Sequence, residues 1–256
     1  MSEVRYSICM LCSNNVRTVE ASLASIVELS KSIPLEILVT DNMSDDGSSS
    51  ILSAFEREGK IKLIRQRCTR GKGRQLAFEM SQGSYIVGHM DCDDLFNAQG
   101  VVALIDLYHR RYEGKMMMTR KLDFTSSNVT IATRELITRI GGWRDLNWIE
   151  DWDLWERAAE IYEYTFAPYP ESSPPHKTIR ASTNERSKTL LSKMKVRYGK
   201  YCDSYRIGRY PFSSHEHVST SQKVIWGMAK SAVILKKAKL PPVKNPKFVD
   251  TIITAS

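Results

Sequence analysis

The chain alternates short unbroken apolar runs with longer stretches whose apolar residues recur every three or four positions. Tyr6–Cys12 is nearly continuous in apolar character, which predicts a strand covered on both faces, and Asn14-Asn15 ends it. Val16–Ser30 then carries Val19, Leu23, Ile26, Val27 and Leu29 at helical spacing. Leu35–Thr40 predicts a second strand closing at Asp41. Ser44-Asp-Asp-Gly-Ser-Ser opens a helix through Phe55, with capping residues and acids at its start. Ile61–Arg65 predicts a third strand. Gly71-Lys72-Gly73 leads into a helix over Arg74–Ser81, Ser84–His89 predicts a fourth strand, and Leu95–Tyr112 a long amphipathic helix.

Strand–helix alternation of this length predicts an α/β fold with an open, mostly parallel sheet flanked by helices. Such sheets bind ligands beyond the carboxyl ends of their strands. Asn14, Asp41, the Arg70–Gly73 segment and Asp91 all fall at strand ends or just past them, so four segments bring polar groups to one edge. Further on, Lys115–Phe124 and Asn128–Ala132 read as strands, Thr133–Ile140 as a short helix stopped by Gly141-Gly142, and Trp148–Ile161 as an amphipathic helix. Phe166–Pro175 is Pro-rich and irregular, and 176–215 is basic with no element assigned. Gln222–Leu240 is the clearest helix of the C-terminal part, ended by Pro241-Pro242.

With 256 residues, 42% apolar and 26% charged, the chain can bury a sizeable core. No apolar run is long enough to span a bilayer, and the first residues lack the pattern of a signal peptide, so a cytoplasmic protein is expected. Five cysteines at irregular spacing do not make a disulfide framework, and Cys9 and Cys12 read as buried core thiols within the first strand. The net charge of +8 is uneven: residues 1–173 carry 20 Lys/Arg against 25 Asp/Glu, whereas 174–256 carry 17 against 4. This division predicts a catalytic domain over 1–173 and a basic helical extension over 174–256. The extension would meet an anionic partner, such as the inner face of a membrane where the protein would sit peripherally. In Gln222–Leu240, Val224, Ile225, Met228, Ala232 and Leu235 fall near one face and Lys223, Lys230 and Lys237 on another, with Trp226 between. The helix either lies on a membrane surface or packs its apolar face on the domain.

Candidate chemistry concentrates in two acidic clusters. Tyr85-Ile-Val-Gly-His-Met-Asp-Cys-Asp-Asp94 ends an apolar strand in Asp91, Asp93 and Asp94. Carboxylates crowded at a strand end are most easily kept by a divalent cation, and all-oxygen donors suit Mn²⁺ or Mg²⁺ bridging to substrate phosphates. Glu150-Asp151-Trp152-Asp153 is the second cluster; on its own it equally suits the first turn of a helix.

Taken in order, Tyr6–Asn15, Ile37–Gly47, Arg70–Gly73, Asp91–Asp94 and Trp148–Leu154 resemble the motifs of family-2 glycosyltransferases, which are inverting enzymes of the Rossmann-like GT-A fold. The resemblance covers residues 4–165. It implies that Asp41 accepts from the nucleotide base, that Asn14 and Asn15 line the nucleotide pocket, and that Gly71, Lys72 and Gly73 let the backbone approach the donor. It implies that Asp91 contacts the ribose or metal-bound water, that Asp93 binds the metal, and that Asp151 is the general base. Glu150, Asp153 and Trp152 would share the grip on sugar hydroxyls. His176 would be a metal ligand or a structural residue, Lys177 and Arg180 would hold the diphosphate, and Trp143 would floor the acceptor pocket or pack in the core.

Where the family usually has Pro-x-Tyr-Asn, this chain has Leu11-Cys12-Ser13-Asn14, without the aromatic that stacks on a base. The Gln-x-x-Arg-Trp motif of processive members is absent, which implies a single addition. The expected activity is metal-dependent transfer of one hexosyl or N-acetylhexosaminyl group from a nucleotide-diphosphate sugar, a UDP-sugar before others, to a hydroxyl of a glycan or lipid-linked acceptor. Two rival readings are a nucleotide-sugar nucleotidyltransferase, which would want a Gly-rich loop after the first strand, and a non-catalytic membrane- or RNA-binding protein. No nucleic-acid partner is expected, because no RNA-module signature accompanies the basic surface.

Overall fold

The computed structural model describes residues 5–88, 90–120, 129–161, 165–168, 176–178, 190–208, 219–236 and 238–242. Among them the element order is β1 (Tyr6–Cys12), α1 (Val19–Leu29), β2 (Leu35–Asp41), α2 (Ser48–Arg57), β3 (Lys62–Arg65), α3 (Arg70–Met80), β4 (Tyr85–Gly88), β5 (Asp94–Phe96) and α4 (Ala98–Arg111). Then come β6 (Met117–Arg120), β7 (Thr130–Thr133), α5 (Arg134–Arg139), α6 (Glu150–Ile161), β8 (Thr165–Pro168), β9 (His176–Thr178), α7 (Leu190–Arg206) and α8 (Thr220–Leu235).

The expected α/β sheet is present. Seven strands run in the order β3-β2-β1-β4-β7-β6-β8, and β5 and β9 form a separate pair. Strands β3, β2, β1 and β4 are mutually parallel, β7 is antiparallel to both of its neighbours, and β8 returns parallel to β6. The nearly unbroken apolar run of β1 follows from its central place: Ile8, Met10 and Cys12 face one buried layer and Cys9 the other. Each fully buried side chain of that size contributes roughly 1.5–3 kcal/mol, so β1 anchors both layers. Cys9 and Cys12 are free buried thiols, as expected, and burial pushes Cys9 up to about 12.

Several boundaries differ from the sequence reading for identifiable reasons. Helix α3 begins at Arg70 rather than Arg74, because the Thr69 hydroxyl accepts from the Lys72 N–H and caps the turn holding both glycines. The run expected as one helix from Leu95 is divided: Asp94–Phe96 forms β5, and Asn97 caps α4 by accepting from Gly100 N–H at 3.2 Å. Phe166–Pro168, read as irregular, belongs to edge strand β8, where proline is tolerated. Part of the unassigned basic stretch forms β9 and α7.

Helices α7 and α8 pack together through Tyr201, Ile225 and Ala229, with Trp226 edge-on to Tyr201 and Tyr205. The single apolar face expected of the last helix is therefore two. Ile225, Ala229 and Val233 are buried, whereas Val224, Met228 and Leu235 are exposed. Trp226 packs toward α7, and Lys237 lies outside the described residues. No described helix is long and apolar enough to cross a membrane.

Candidate active site

The β1–α1 and β2–α2 loops are laced together at the carboxyl edge of the sheet. Asn14 takes a left-handed conformation (φ 57°), which Asn tolerates better than most residues. Its amide donates to the Asp45 carboxylate at 3.0 Å and accepts from Asp45 N–H at 3.0 Å, and its N–H donates to the Ser44 hydroxyl at 2.9 Å. Asn15 N–H donates to the Ser48 hydroxyl at 2.8 Å. Asp41 closes β2, fully buried; its carboxylate accepts from Ser44 N–H at 3.1 Å and from the Ser49 hydroxyl. Each Asp41 oxygen thus accepts one hydrogen bond among the described residues, and a carboxylate oxygen has room for a second.

Gly71 and Gly73 lie in the first turn of α3, pressed against other parts of the chain. A Cβ at Gly71 would fall on the Arg144 carbonyl, and one at Gly73 on the Leu11 side chain. Gly71 N–H donates to the Leu146 carbonyl at 2.8 Å. Gly71 permits close approach of backbone to backbone, which fastens the start of α3 to the segment leading into α6, and Gly73 makes room for the Leu11 side chain of β1. Lys72, between them, is half-buried.

One ligand-bearing oxygen from each of Asp91, Asp93 and Asp94 lies within 4.8 Å of the others. Asp91 and Asp93 are half-buried and Asp94 is buried. Across from them, α6 opens with Glu150 and Asp151. Between the clusters sits Arg74, whose side chain is 3% exposed. Its Nη2 is 2.7 Å from Asp91 Oδ1, and its Nε is 3.5 Å from Asp151 Oδ1 and 3.9 Å from Glu150 Oε1. Burial alone would lower the guanidinium's pKa, but Asp151, Asp91 and Glu150 outweigh it and raise the value, so Arg74 stays charged. Arg74, with Arg70 acting from farther off, faces five carboxylates among the described residues and leaves them under-compensated. Glu150 is accordingly raised to about 7, first by burial and then by the Asp151 charge. Asp151 is raised to about 6 by burial and by Asp91, with Arg74 opposing.

A divalent cation fits this donor set: three carboxylates converge, all donors are oxygen, and the surrounding charge is under-compensated. Asp94 belongs in the set beside Asp91 and Asp93. It carries strand β5, which pairs with β9 in the register Asp94↔Thr178 and Phe96↔His176. The backbone at His176 therefore runs beside the acidic segment, opposite Phe96 rather than Asp94. Only the backbone of His176 and Lys177 is described, and Arg180 lies outside the described residues.

The sequence expectation for Asp153 is corrected. Its fully buried carboxylate is clamped by Arg144, through Nε at 2.9 Å and through Nη2, and by Arg157 Nη2 at 2.8 Å. Two guanidiniums close it off from any sugar, and it serves to lock the start of α6. Trp152 stays 37% exposed beside Trp155 and next to Asp151. Trp143 packs in the core against Phe78, beneath Asp151.

Sequence reasoning missed two contributors. Arg74 looked like the first residue of an ordinary helix, and nothing in its spacing pointed to acids at 91, 150 and 151. Asp203, on α7, accepts from Asn147 N–H at 2.8 Å and Trp148 N–H at 2.9 Å, and Arg206 beside it donates to the Asp145 carbonyl at 2.7 Å. The loop that aims Glu150 and Asp151 is thus gripped by α3 on one side and α7 on the other.

The comparisons agree with this geometry. No curated protein matches the sequence. Among solved structures, the fold is similar to S. aureus TarS 1–349 in complex with UDP-GlcNAc, with TM-score 0.61 and 12% identity over 90% of this chain and 73% of that one. It is also similar to the mannosyltransferase PcManGT from Pyrobaculum calidifontis in complex with GDP-Man and Mn²⁺, with TM-score 0.59 and 16% identity over 100% and 80%. A third is glucosyl-3-phosphoglycerate synthase from Mycobacterium tuberculosis, with TM-score 0.53 and 15% identity over 84% of each chain. These likenesses show the GT-A fold. The family model described as Glycosyl transferase family 2 matches residues 7–148, more than half of the sequence. The chain belongs to glycosyltransferase family 2.

Proposed function

We propose that the protein transfers a single sugar, with inversion, from a nucleoside-diphosphate sugar to a hydroxyl acceptor, and that Asp151 is the base. The observation that carries this reading is the Arg74 bridge: one buried guanidinium joins Asp91 of the acidic triad to Asp151. A carboxylate raised to about 6 is ionised at neutral pH and basic enough to take a proton from an attacking hydroxyl. Its side chain is 24% exposed, so an acceptor can reach it. Arg74 holds the carboxylate in place and keeps it ionised. Buried Glu150 shares the guanidinium from the α6 side. Exposed Trp152 offers a flat apolar face to an acceptor or donor sugar.

Asp91, Asp93 and Asp94 would hold Mn²⁺ or Mg²⁺, with His176 as a further candidate ligand. The cation would neutralise charge developing on the departing diphosphate. Asn14, Asn15, Asp41 and Lys72 border the nucleotide site, with Gly71 and Gly73 fastening its floor. Attack in line with the departing group gives a β-linked product from an α-linked donor. Structures similar in fold, in complex with UDP-GlcNAc, with GDP-Man and Mn²⁺, and with UDP-Glc and Mn²⁺, support a nucleotide-sugar donor. A UDP-sugar is the first donor to test, and a growing glycan or a lipid-linked glycan the first acceptor.

A thermal-shift screen of UDP-, GDP- and dTDP-sugars with Mn²⁺, Mg²⁺ or EDTA tests the reading. Stabilisation by one donor that requires the cation and is lost in Asp93→Ala is expected. No stabilisation by any donor would contradict it.

A further inference from the structure

The α8 helix presents two apolar faces, and only one is used within the described fold. Ile225, Ala229 and Val233 face α7 and are buried. Val224, Met228 and Leu235, at spacings of four and seven, make a second stripe that is 57%, 61% and 83% exposed. Ile234, 52% exposed, widens it on one side. Lys223 and Lys230 are exposed, Lys230 with its ammonium 5.9 Å from the Tyr205 ring of α7, and exposed Lys236 and Lys239 follow the helix end, Lys239 4.9 Å from the same ring. Residues 219–242 contain no Asp or Glu, within a C-terminal third that carries 17 Lys/Arg against 4 Asp/Glu.

We infer that this stripe is a docking face for an anionic lipid surface. The chemistry separates lipid from protein as occupant. Protein interfaces are depleted in lysine at their centres, whereas membrane-surface helices combine an apolar stripe with lysines that meet anionic headgroups. A second copy docking by a two-fold axis would place lysine rows against lysine rows with no acid on the helix to meet them. Insertion of Val224, Met228 and Leu235 supplies the apolar contribution, and the lysines supply the charge contribution. Neither alone gives firm attachment. The inference stands on the C-terminal helices and does not depend on which donor is used.

Vesicle flotation of the full chain tests it, with phosphatidylcholine alone and with phosphatidylcholine containing phosphatidylglycerol, at about 0.15 M and about 1 M salt. Flotation with the anionic vesicles only, weakened at high salt, is expected. Met228→Glu with Leu235→Glu, and separately Lys223→Glu with Lys230→Glu, should each lower vesicle binding by about tenfold or more. Thermal midpoint and donor-induced shift should be unchanged in the Met228/Leu235 variant, since both side chains are exposed. No flotation of the wild type, equal flotation with neutral vesicles, or undiminished flotation of the Met228/Leu235 variant would overturn the inference. So would a dimer by light scattering that Met228→Glu disperses, which would assign the stripe to a second copy.

Discussion

The Asp203 carboxylate, on α7, accepts the backbone N–H of Trp148, two residues ahead of the acid pair that opens α6. The same oxygen accepts Asn147 N–H at 2.8 Å, and the side chain is 7% exposed. A residue of α7 therefore holds the loop that aims Glu150 and Asp151. Asp203→Ala removes the acceptor of two part-buried N–H groups, at a cost of roughly 1–3 kcal/mol. On the proposed assignment of Asp151 as the base, turnover should fall more than donor affinity, because the loop leads directly into Glu150 and Asp151. Asp203→Asn keeps one accepting oxygen and should recover part of both losses, as read by thermal melts and kcat against KM.

Gly71 separates two explanations for a glycine beside a ligand site. Its missing Cβ makes room for the Arg144 carbonyl, so Gly71→Ala must displace the Arg144–Leu146 segment. The expected result is a loss of stability of about 2–4 kcal/mol without any ligand, together with lost turnover. A variant with wild-type stability and only a raised donor KM would assign Gly71 to ligand approach instead.

Arg74 compensates Asp91, Glu150 and Asp151 at once. Arg74→Met leaves these carboxylates uncompensated and should cost about 3–5 kcal/mol at pH 8. Without the guanidinium their affinity for protons rises further, so the folded variant binds protons that the unfolded chain does not. Its deficit against the wild type should therefore shrink as pH falls from 8 toward 5, and a pH series of melts reads this directly.

Asp151 itself is a cost to the fold. Its folded pKa is raised from 3.8 to about 6, so the native state binds the proton more tightly than the unfolded chain. The penalty is absent below the ordinary value and fully present above the raised one. Asp151→Asn should accordingly raise stability by about 1–2 kcal/mol above pH 7 and lose that advantage below about pH 4. In the wild type, kcat/KM should fall on the acid side as this carboxyl takes up its proton.

Much of the site was legible because strand ends are legible. Asn14, Asp41 and Asp91 each close or follow an apolar run, and in a parallel sheet that alone brings them to one edge. The acids at 150 and 151 were visible as a cluster, but Asp153 was not separable from them, since its two arginine partners stand at 144 and 157 and their convergence is tertiary. Arg74 and Asp203 were invisible for the same reason: one lies in an ordinary helix and the other in a stretch whose basic composition masked a single functional acid. The last helix was found, but it ends at Leu235 rather than Leu240 and its face was misjudged. Residues 224, 225 and 228 share an arc on a helical wheel, and only packing against α7 divides that arc into a buried and an exposed stripe.

The most direct test of the account is sugar transfer by Asp151→Asn at saturating donor, measured as nucleoside-diphosphate release in the presence of acceptor. The account expects donor binding and cation dependence to persist, because Asp91, Asp93 and Asp94 are intact, while transfer falls by about a hundredfold or more. Transfer at the wild-type rate would contradict it and remove Asp151 as the base.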